Sequence, residues 1–177
     1  DNYLKSKEKR QKLLQHMPGI NSNTDKGIYV LVIGESETRD HMGAYGYSRD
    51  TTPWLSSQKD NPDFIILNQA WSCAADTVSA LTYALTAKNQ YNNINLDEAY
   101  SLIDIANAAG YDTVWLSNQV QYGLADTPIT AIASSAKHQV WLHDKVGHLK
   151  DGRYLDMPAF YDENLIPELG KINMSDR

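Results

Sequence analysis

An unbroken apolar run, IYVLVI at residues 28–33, constrains the fold of this chain more than any other segment. The run is rich in β-branched residues and lacks the alternation of a strand with one solvated face. It therefore predicts a strand covered on both faces in a mainly parallel sheet. Alternating strands and helices predict an α/β fold in which helices flank the sheet. Further strands are predicted at residues 64–67, 111–117 and 139–142, and helices at residues 51–55, 77–87, 95–109, 128–136 and 159–171. Pro53 suits the first turn of the first of these helices, the second is rich in Ala and Leu, and Gly110 ends the third.

Composition and charge narrow the functional class. The 177 residues suffice for one domain with a sizeable core. The net charge of -6 argues against nucleic acid as a partner, because phosphate binding normally needs a basic face. No run of residues is long and apolar enough to cross a membrane. Residues 1–12 are basic and helix-prone, which predicts either a solvated helix face or a segment that leaves a membrane anchor.

Two polar residues follow the first two predicted strands. Glu35 comes soon after residues 28–33, and Thr77 opens the helix after residues 64–67. In open α/β sheets ligands bind outside the carboxyl ends of the strands, so both side chains are expected at one edge. A carboxylate suits a divalent cation such as zinc or magnesium, and a threonine hydroxyl needs a metal or a base to become a nucleophile. Helix capping is the alternative role for each residue, and Ser79 is the competing nucleophile.

The segment around Glu35 carries a longer motif. Residues 34–41 read GESETRDH, and residues 46–53 read GYSRDTTP. In order and spacing they resemble the Gly-Glu-(Ser/Thr) and Gly-Tyr-x-Arg-x-Thr-x-Pro elements of bacterial phosphoethanolamine transferases, which belong to the alkaline phosphatase and sulfatase superfamily. A Ser-Cys-x-x-x-Thr segment follows in that family, and residues 72–77, SCAADT, match it.

The resemblance implies a fold, a cofactor and two site residues. The fold is an alkaline-phosphatase-like sandwich with a mainly parallel sheet flanked by helices, incomplete here at its C-terminal side. Thr77 would take the phosphoethanolamine group covalently, and Glu35 and Thr77 would be ligands of Zn2+. By the same resemblance, residues 28–177 are the N-terminal part of the catalytic domain. Residues 1–27 are then a basic helix and linker that lead from a membrane anchor.

Three further residues are candidates for substrate binding. Asn118 follows the strand predicted at residues 111–117, where related enzymes carry an asparagine that helps to hold substrate. A polar residue at a strand end is often structural, which is the alternative for Asn118. Arg39 and His41 are expected to line the phosphate pocket, and a local salt-bridge and capping network is the alternative for both. Residues 161–167, YDENLIP, resemble the family's helix ahead of the next core strand.

The chain departs from the family pattern at several positions. Tyr83 stands where the family commonly has a cysteine that pairs with the equivalent of Cys73, and Tyr122 replaces a lysine often found four residues beyond the substrate asparagine. The family's Asp-His metal pair and further histidines have no counterpart before Arg177, so the fragment by itself is expected to be inactive. Cys73 is predicted to be a packed thiol. Surface or core roles are expected for His138, His143 and His148, and core positions for Trp54, Trp71, Trp115 and Trp141.

The sequence thus predicts a zinc-dependent transferase. It would move phosphoethanolamine from a phospholipid donor, phosphatidylethanolamine, to lipid A, core oligosaccharide or another envelope glycan through a covalent phosphothreonine. Such an enzyme would sit in the bacterial inner membrane with its catalytic domain facing the periplasm. The alternatives are a phosphoglycerol transferase or sulfatase-like hydrolase of the same superfamily, and a non-catalytic envelope binding domain on the same fold. Sulfatases need a Cys/Ser-x-Pro-x-Arg motif, and residues 73–77 lack both the Pro and the Arg.

Overall fold

A computed structural model describes residues 2–20, 27–122, 127–145 and 161–172. The chain divides into two compact units, one formed by residues 27–72 and one by residues 1–26 together with 73–177, and we treat each separately. His148 and the side chain of Tyr122 lie outside what is described. Within the described residues, no helix is both long enough and apolar enough to span a bilayer.

Helices come first along the described chain, and the two described strands follow with one helix between them. The helices are α1 (Asn2–Gln15), α2 (Pro53–Ser57), α3 (Thr77–Leu85), α4 (Leu102–Ala108), α5 (Thr127–Ala133) and α6 (Ile166–Leu169), and the strands are β1 (Val114–Tyr122) and β2 (His138–Lys145). Short 3-10 turns lie at Arg39–His41, Gly43–Tyr45, Leu96–Glu98 and Asp162–Leu165.

The strands predicted at residues 111–117 and 139–142 are confirmed as β1 and β2. They pair in parallel, with Val114 opposite His138 and Ser117 opposite Trp141. Parallel neighbours need a crossover between them, and α5 lies in that connection. The core next to this pair of strands includes α5, in which the side chains of Ile132 and Ala133 are 0% exposed.

The strands predicted at residues 28–33 and 64–67 are not formed in the described structure. Neither segment has a hydrogen-bonded ladder partner among the described residues. Their side chains are largely solvent-exposed, with Val32 at 85% and Ile65 at 82%. β-Branched composition favours extended backbone, but a strand exists only where a neighbour accepts and donates its backbone hydrogen bonds. Trp54 and Trp71 lie in the same 27–72 unit, and both indoles are exposed, so the prediction that they are core residues is wrong.

The single helix predicted over residues 95–109 is broken into two elements. A 3-10 turn covers Leu96–Glu98, and α4 begins only after Ser101. Ser101 caps α4 by accepting from the Asp104 backbone N–H, while the Asp104 carboxylate accepts from the Ser101 backbone N–H. This reciprocal capping box satisfies two amides that a continuous helix would have bonded differently, so it fixes the break.

The basic N-terminal stretch forms α1 as expected, and its described lysines are exposed, but Arg10 in the same run is buried. Arg10 is 4% exposed and forms an ion pair with the buried carboxylate of Asp104. Its guanidinium also donates to the Ala99 carbonyl at 3.0 Å and to the Ser135 hydroxyl at 3.2 Å. At the surface next to it, the hydrogen-bonded carboxylate of Asp97 raises the pKa of Lys9. A charged helix face therefore carries one residue that anchors α1 to the rest of its unit.

Gly110 ends α4 as predicted, in the left-handed backbone region at φ +90°. Replacing Gly110 by alanine is expected to lower the free energy of unfolding by about 1 kcal/mol, because a Cβ atom is strained in this region although the surrounding space is open. Gly19→Ala is the matched control, since Gly19 also has open space and no positive φ. Melting temperatures of the two variants measure the difference, and equal values would contradict the assignment of strain.

Candidate active-site residues

Glu35 lies in the 27–72 unit, in a tight turn beyond the apolar run. The Ser36 backbone N–H donates to Glu35 Oε1 at 3.1 Å. Ser36 is a non-glycine residue with φ +50°, a conformation that L side chains adopt at a cost of about 1–3 kcal/mol and that clusters at functional sites. The side chain of Glu35 is solvent-exposed. The strained turn thus holds a carboxylate in a defined orientation at the surface of its unit.

Arg39 has a structural role in the same unit. Its guanidinium donates to the Asn68 carbonyl at 2.6 Å and lies 5.2 Å from the ring centroid of Tyr45. The ring of His41 lies 5.2 Å from that of Tyr47. These contacts are a hydrogen bond to a distant carbonyl and ring contacts, and they differ from the local salt-bridge and capping network given as the alternative for both residues. A cleft of about 300 Å³ is lined by Arg39, Asp40, Tyr45, Gly46, Tyr47 and Ser48.

The motif GYSRDTTP has a clear structural explanation. The Thr51 hydroxyl donates to the His41 carbonyl at 2.6 Å and accepts from the Gly43 backbone N–H at 3.0 Å. Gly46 turns the chain at φ +100°, where a side chain would be strained. Pro53 then opens α2 at a position where a missing N–H is harmless. The motif residues therefore fix the loop that carries Arg39 and His41, which explains their spacing.

Thr77 is the first residue of α3, in the other unit, and its side chain is exposed. The preceding residue, Asp76, caps the helix by accepting from the Ser79 backbone N–H at 2.8 Å. Hydrogen bonds from the backbone N–H and the hydroxyl of Ser79 hold the pKa of Asp76 below its ordinary value. Capping is thus done by Asp76, so the simple alternative of Thr77 as the cap residue is wrong. The thiol of Cys73, predicted to be packed, is exposed.

Asn118 lies within β1, at an irregularity in the sheet. The pairing of β1 with β2 shifts register between Ser117 and Val120, which leaves Asn118 and Gln119 outside the regular ladder. The Gln119 backbone N–H bonds the Ser117 hydroxyl at 3.0 Å instead. Asn118 Nδ2 donates to Asp162 Oδ1 at 2.8 Å. The structure therefore places Asn118 against the 3-10 turn Asp162–Leu165.

The predicted zinc ligands Glu35 and Thr77 supply only some of the donor atoms that a zinc site needs. Glu35 and Thr77 both offer oxygen, which suits a hard divalent cation, but a zinc site normally has about four ligands. Across residues 2–20, 27–122, 127–145 and 161–172, no group of three or more His, Cys, Asp or Glu side chains could hold a metal ion. His138 lies 3.3 Å from the Asp112 carboxylate and is half exposed, which confirms its predicted surface role. Glu35 and Thr77 each offer one oxygen donor in their own unit, and neither belongs to a complete metal site among the described residues.

The parallel β1-α5-β2 arrangement is the element on which α/β domains are built, and many enzymes use such domains. The chain belongs to the sulfatase family, whose model matches residues 28–171. This match confirms the predicted α/β fold of the sulfatase and alkaline phosphatase type and the assignment to an enzyme family.

Several curated proteins are similar in sequence. A Haemophilus influenzae protein named "Putative phosphoethanolamine transferase" is 31% identical over 81% of this chain and 27% of its own length. Phosphoethanolamine transferase EptC of Escherichia coli is 32% identical over 70% of this chain and 22% of its own, and phosphoethanolamine transferase OpgE of the same species is 35% identical over 78% and 24%. The chain thus spans about a quarter of the length of these relatives. No solved structure matches it.

Sequence reasoning missed Asp76 and Asp162. Asp76 stands directly before a helix start, where aspartate is a preferred cap, so local pattern alone could have identified it. Asp162 contacts a residue 44 positions away, and no local spacing signals such a contact.

Proposed function

We propose that the complete protein transfers phosphoethanolamine from a phospholipid to an envelope acceptor, with Thr77 as the nucleophile. The observations that carry the proposal are the similarity to several phosphoethanolamine transferases and the sulfatase family match over residues 28–171, a range that contains Glu35 and Thr77. The position of Thr77 supports it, because an exposed hydroxyl at the start of a capped helix is held in place and open to a reactant.

The reaction proceeds in two displacements. In the first, the Thr77 oxygen forms a bond to the phosphorus of phosphatidylethanolamine, the bond from phosphorus to the diacylglycerol oxygen breaks, and diacylglycerol leaves with a proton. In the second, the oxygen of an acceptor hydroxyl forms the new bond to phosphorus and the bond from phosphorus to the Thr77 oxygen breaks. The acceptor's proton passes to the Thr77 oxygen, and the product leaves. The positive end of the α3 dipole favours negative charge on phosphoryl oxygens near Thr77, while the Ser79 backbone N–H is bonded to Asp76. Two displacements allow one residue to serve two unlike substrates in turn.

Zn2+ is the proposed cofactor, with Glu35 and the Thr77 oxygen among its ligands. The ion would supply positive charge that favours loss of the threonine proton and polarises the phosphoryl group. Glu35 is suited to a fixed ligand role, because its carboxylate is held by the Ser36 amide in a strained turn. Arg39, His41 and Asn118 are proposed to contact substrate, with Arg39 lining a cleft of about 300 Å³ in its own unit.

The cellular setting is proposed from the same similarity. The acceptor would be lipid A, core oligosaccharide or another envelope glycan, and the catalytic domain would face the periplasm from the inner membrane. Residues 1–27 would connect a membrane anchor to the catalytic domain that starts at residue 28. Within that connection, α1 is fixed to residues of the 73–177 segment by Arg10.

The first test is the mass of the peptide that contains Thr77. The complete protein is incubated with zinc and phosphatidylethanolamine, without an acceptor, and then digested. We expect an added mass of one phosphoethanolamine group on Thr77, because without an acceptor the second displacement stops.

Two single variants make this test specific. Thr77→Ala is expected to abolish the adduct. Ser79→Ala is expected to retain it, because this variant keeps the backbone N–H of residue 79, which donates to the cap residue Asp76. If the adduct in the wild type lies on Ser79, then Ser79 is the nucleophile and the assignment of Thr77 is wrong. A protein that binds zinc but forms no adduct would contradict phosphatidylethanolamine as the donor and favour a related transferase or a hydrolase.

A further inference from the structure

We infer that Asp162 is a positioning residue for Asn118, which its carboxylate holds in one amide orientation for substrate binding. The inference rests on the proposed function, in which Asn118 contacts substrate. Its evidence is a direct side-chain hydrogen bond of 2.8 Å from Asn118 Nδ2 to Asp162 Oδ1. The two residues come from different elements, β1 and the 3-10 turn Asp162–Leu165, so the contact exists only in the folded unit.

The backbone around Asn118 departs from regular strand pairing. In a regular parallel strand, residue 118 would continue the register that runs from Val114 to Ser117. Instead the register shifts before Val120, and a local bond from Gln119 to the Ser117 hydroxyl replaces ladder pairing. Such irregularities are over-represented at sheet edges and next to active sites, where they redirect a side chain. The shift at Asn118 therefore gives this side chain a direction that regular strand pairing would not.

The chemistry of the contact determines what Asp162 does. An ionised carboxylate only accepts hydrogen bonds, so it selects the NH2 end of the Asn118 amide and directs the carbonyl end away. Charge-assisted hydrogen bonds are roughly twice as strong as neutral ones, which makes the opposite amide orientation unfavourable. Asp162 thus fixes the amide orientation in which Nδ2 bonds the carboxylate and Oδ1 is buried.

The turn that carries Asp162 is itself well ordered by local bonds. The backbone N–H and the side-chain amide of Asn164 both donate to the Tyr161 carbonyl at 2.9 Å. Asp162 therefore lies in a hydrogen-bonded turn, which limits the movement of the backbone that carries its carboxylate.

The test is a double-variant cycle on the complete protein, with phosphatidylethanolamine as the varied substrate. Asn118→Ala and Asp162→Ala are each expected to raise KM about 5- to 10-fold with a much smaller change in kcat, since each removes a group that orients bound substrate. The double variant is expected to be no worse than Asn118→Ala alone. Asp162→Asn retains an acceptor oxygen and is expected to recover part of the loss.

Glu163→Gln is the matched control, because it alters an exposed acid in the same turn, and its KM is expected to equal that of the wild type. If Asp162→Ala leaves KM unchanged while Asn118→Ala raises it, the positioning role is refuted and Asn118 remains a substrate residue. Additive effects in the double variant would also refute it. An unchanged KM in Asn118→Ala would refute both roles. A wild-type protein that transfers no phosphoethanolamine would overturn the proposed function, and this inference with it.

Discussion

Replacing Arg10 by alanine is expected to lower the free energy of unfolding by about 3–5 kcal/mol. Arg10 and Asp104 are both nearly inaccessible to solvent, and the variant leaves the Asp104 carboxylate charged and buried without its counter-ion. The loss extends beyond the pair, because the guanidinium also bonds the Ala99 carbonyl and the Ser135 hydroxyl. Urea unfolding of the complete protein, followed by tryptophan fluorescence, measures the change.

Two variants separate the buried charge from other effects of the Arg10 substitution. Lys12→Ala removes an exposed charge from the same helix and is expected to change stability by less than about 0.5 kcal/mol. Combining Arg10→Ala with Asp104→Asn is expected to restore stability relative to Arg10→Ala alone, because a neutral amide is less unfavourable to bury than a carboxylate. Equal unfolding of the Arg10 and Lys12 variants would contradict the anchoring role of Arg10.

Replacing Glu35 by glutamine is expected to reduce zinc binding and phosphoethanolamine transfer by at least about 100-fold in the complete protein. Glutamine keeps the size of the side chain and an oxygen that can accept from the Ser36 amide, so the strained turn should persist. What it loses is the negative charge that a zinc ligand supplies. Elemental analysis of purified protein gives the zinc content, and the transfer rate is measured on the same samples.

The chain offers a close control for the Glu35 variant. Glu37 lies two residues further along and is also exposed, and Glu37→Gln is expected to retain wild-type zinc content and rate. Full zinc occupancy in Glu35→Gln would remove Glu35 from the metal site. Loss of zinc in both variants would mean that the loop as a whole, and not one carboxylate, controls metal binding.

Local sequence signals were sufficient for several elements. The Ala- and Leu-rich stretch after Asp76 predicted α3, Pro53 predicted the start of α2, and Gly110 predicted the end of α4. Each of these depends on the backbone preference of a few neighbouring residues. The family was likewise accessible from sequence, because the segments GESETRDH, GYSRDTTP and SCAADT resemble its motifs in order and spacing.

Long-range packing was not accessible in this way. Nothing in a basic run distinguishes Arg10 from the lysines around it, yet only Arg10 reaches Asp104, 94 residues away. The helix predicted over residues 95–109 failed for a related reason. Ser101 and Asp104 form a cap there, and the carboxylate that completes the cap is also the partner of Arg10.

The sequence by itself determined the α/β class, the β1 and β2 strands, the family, and Glu35 and Thr77 as candidates for metal and phosphoryl chemistry. These conclusions follow from periodicity, local backbone preference and motif order. Only the tertiary structure decided that Arg10 is buried, that residues 28–33 lack a ladder partner among the described residues, and that Asp162 holds Asn118. Each of these depends on which residues, far apart in the sequence, come into contact and pair a charge or a hydrogen-bonding group. Local sequence patterns do not specify such contacts.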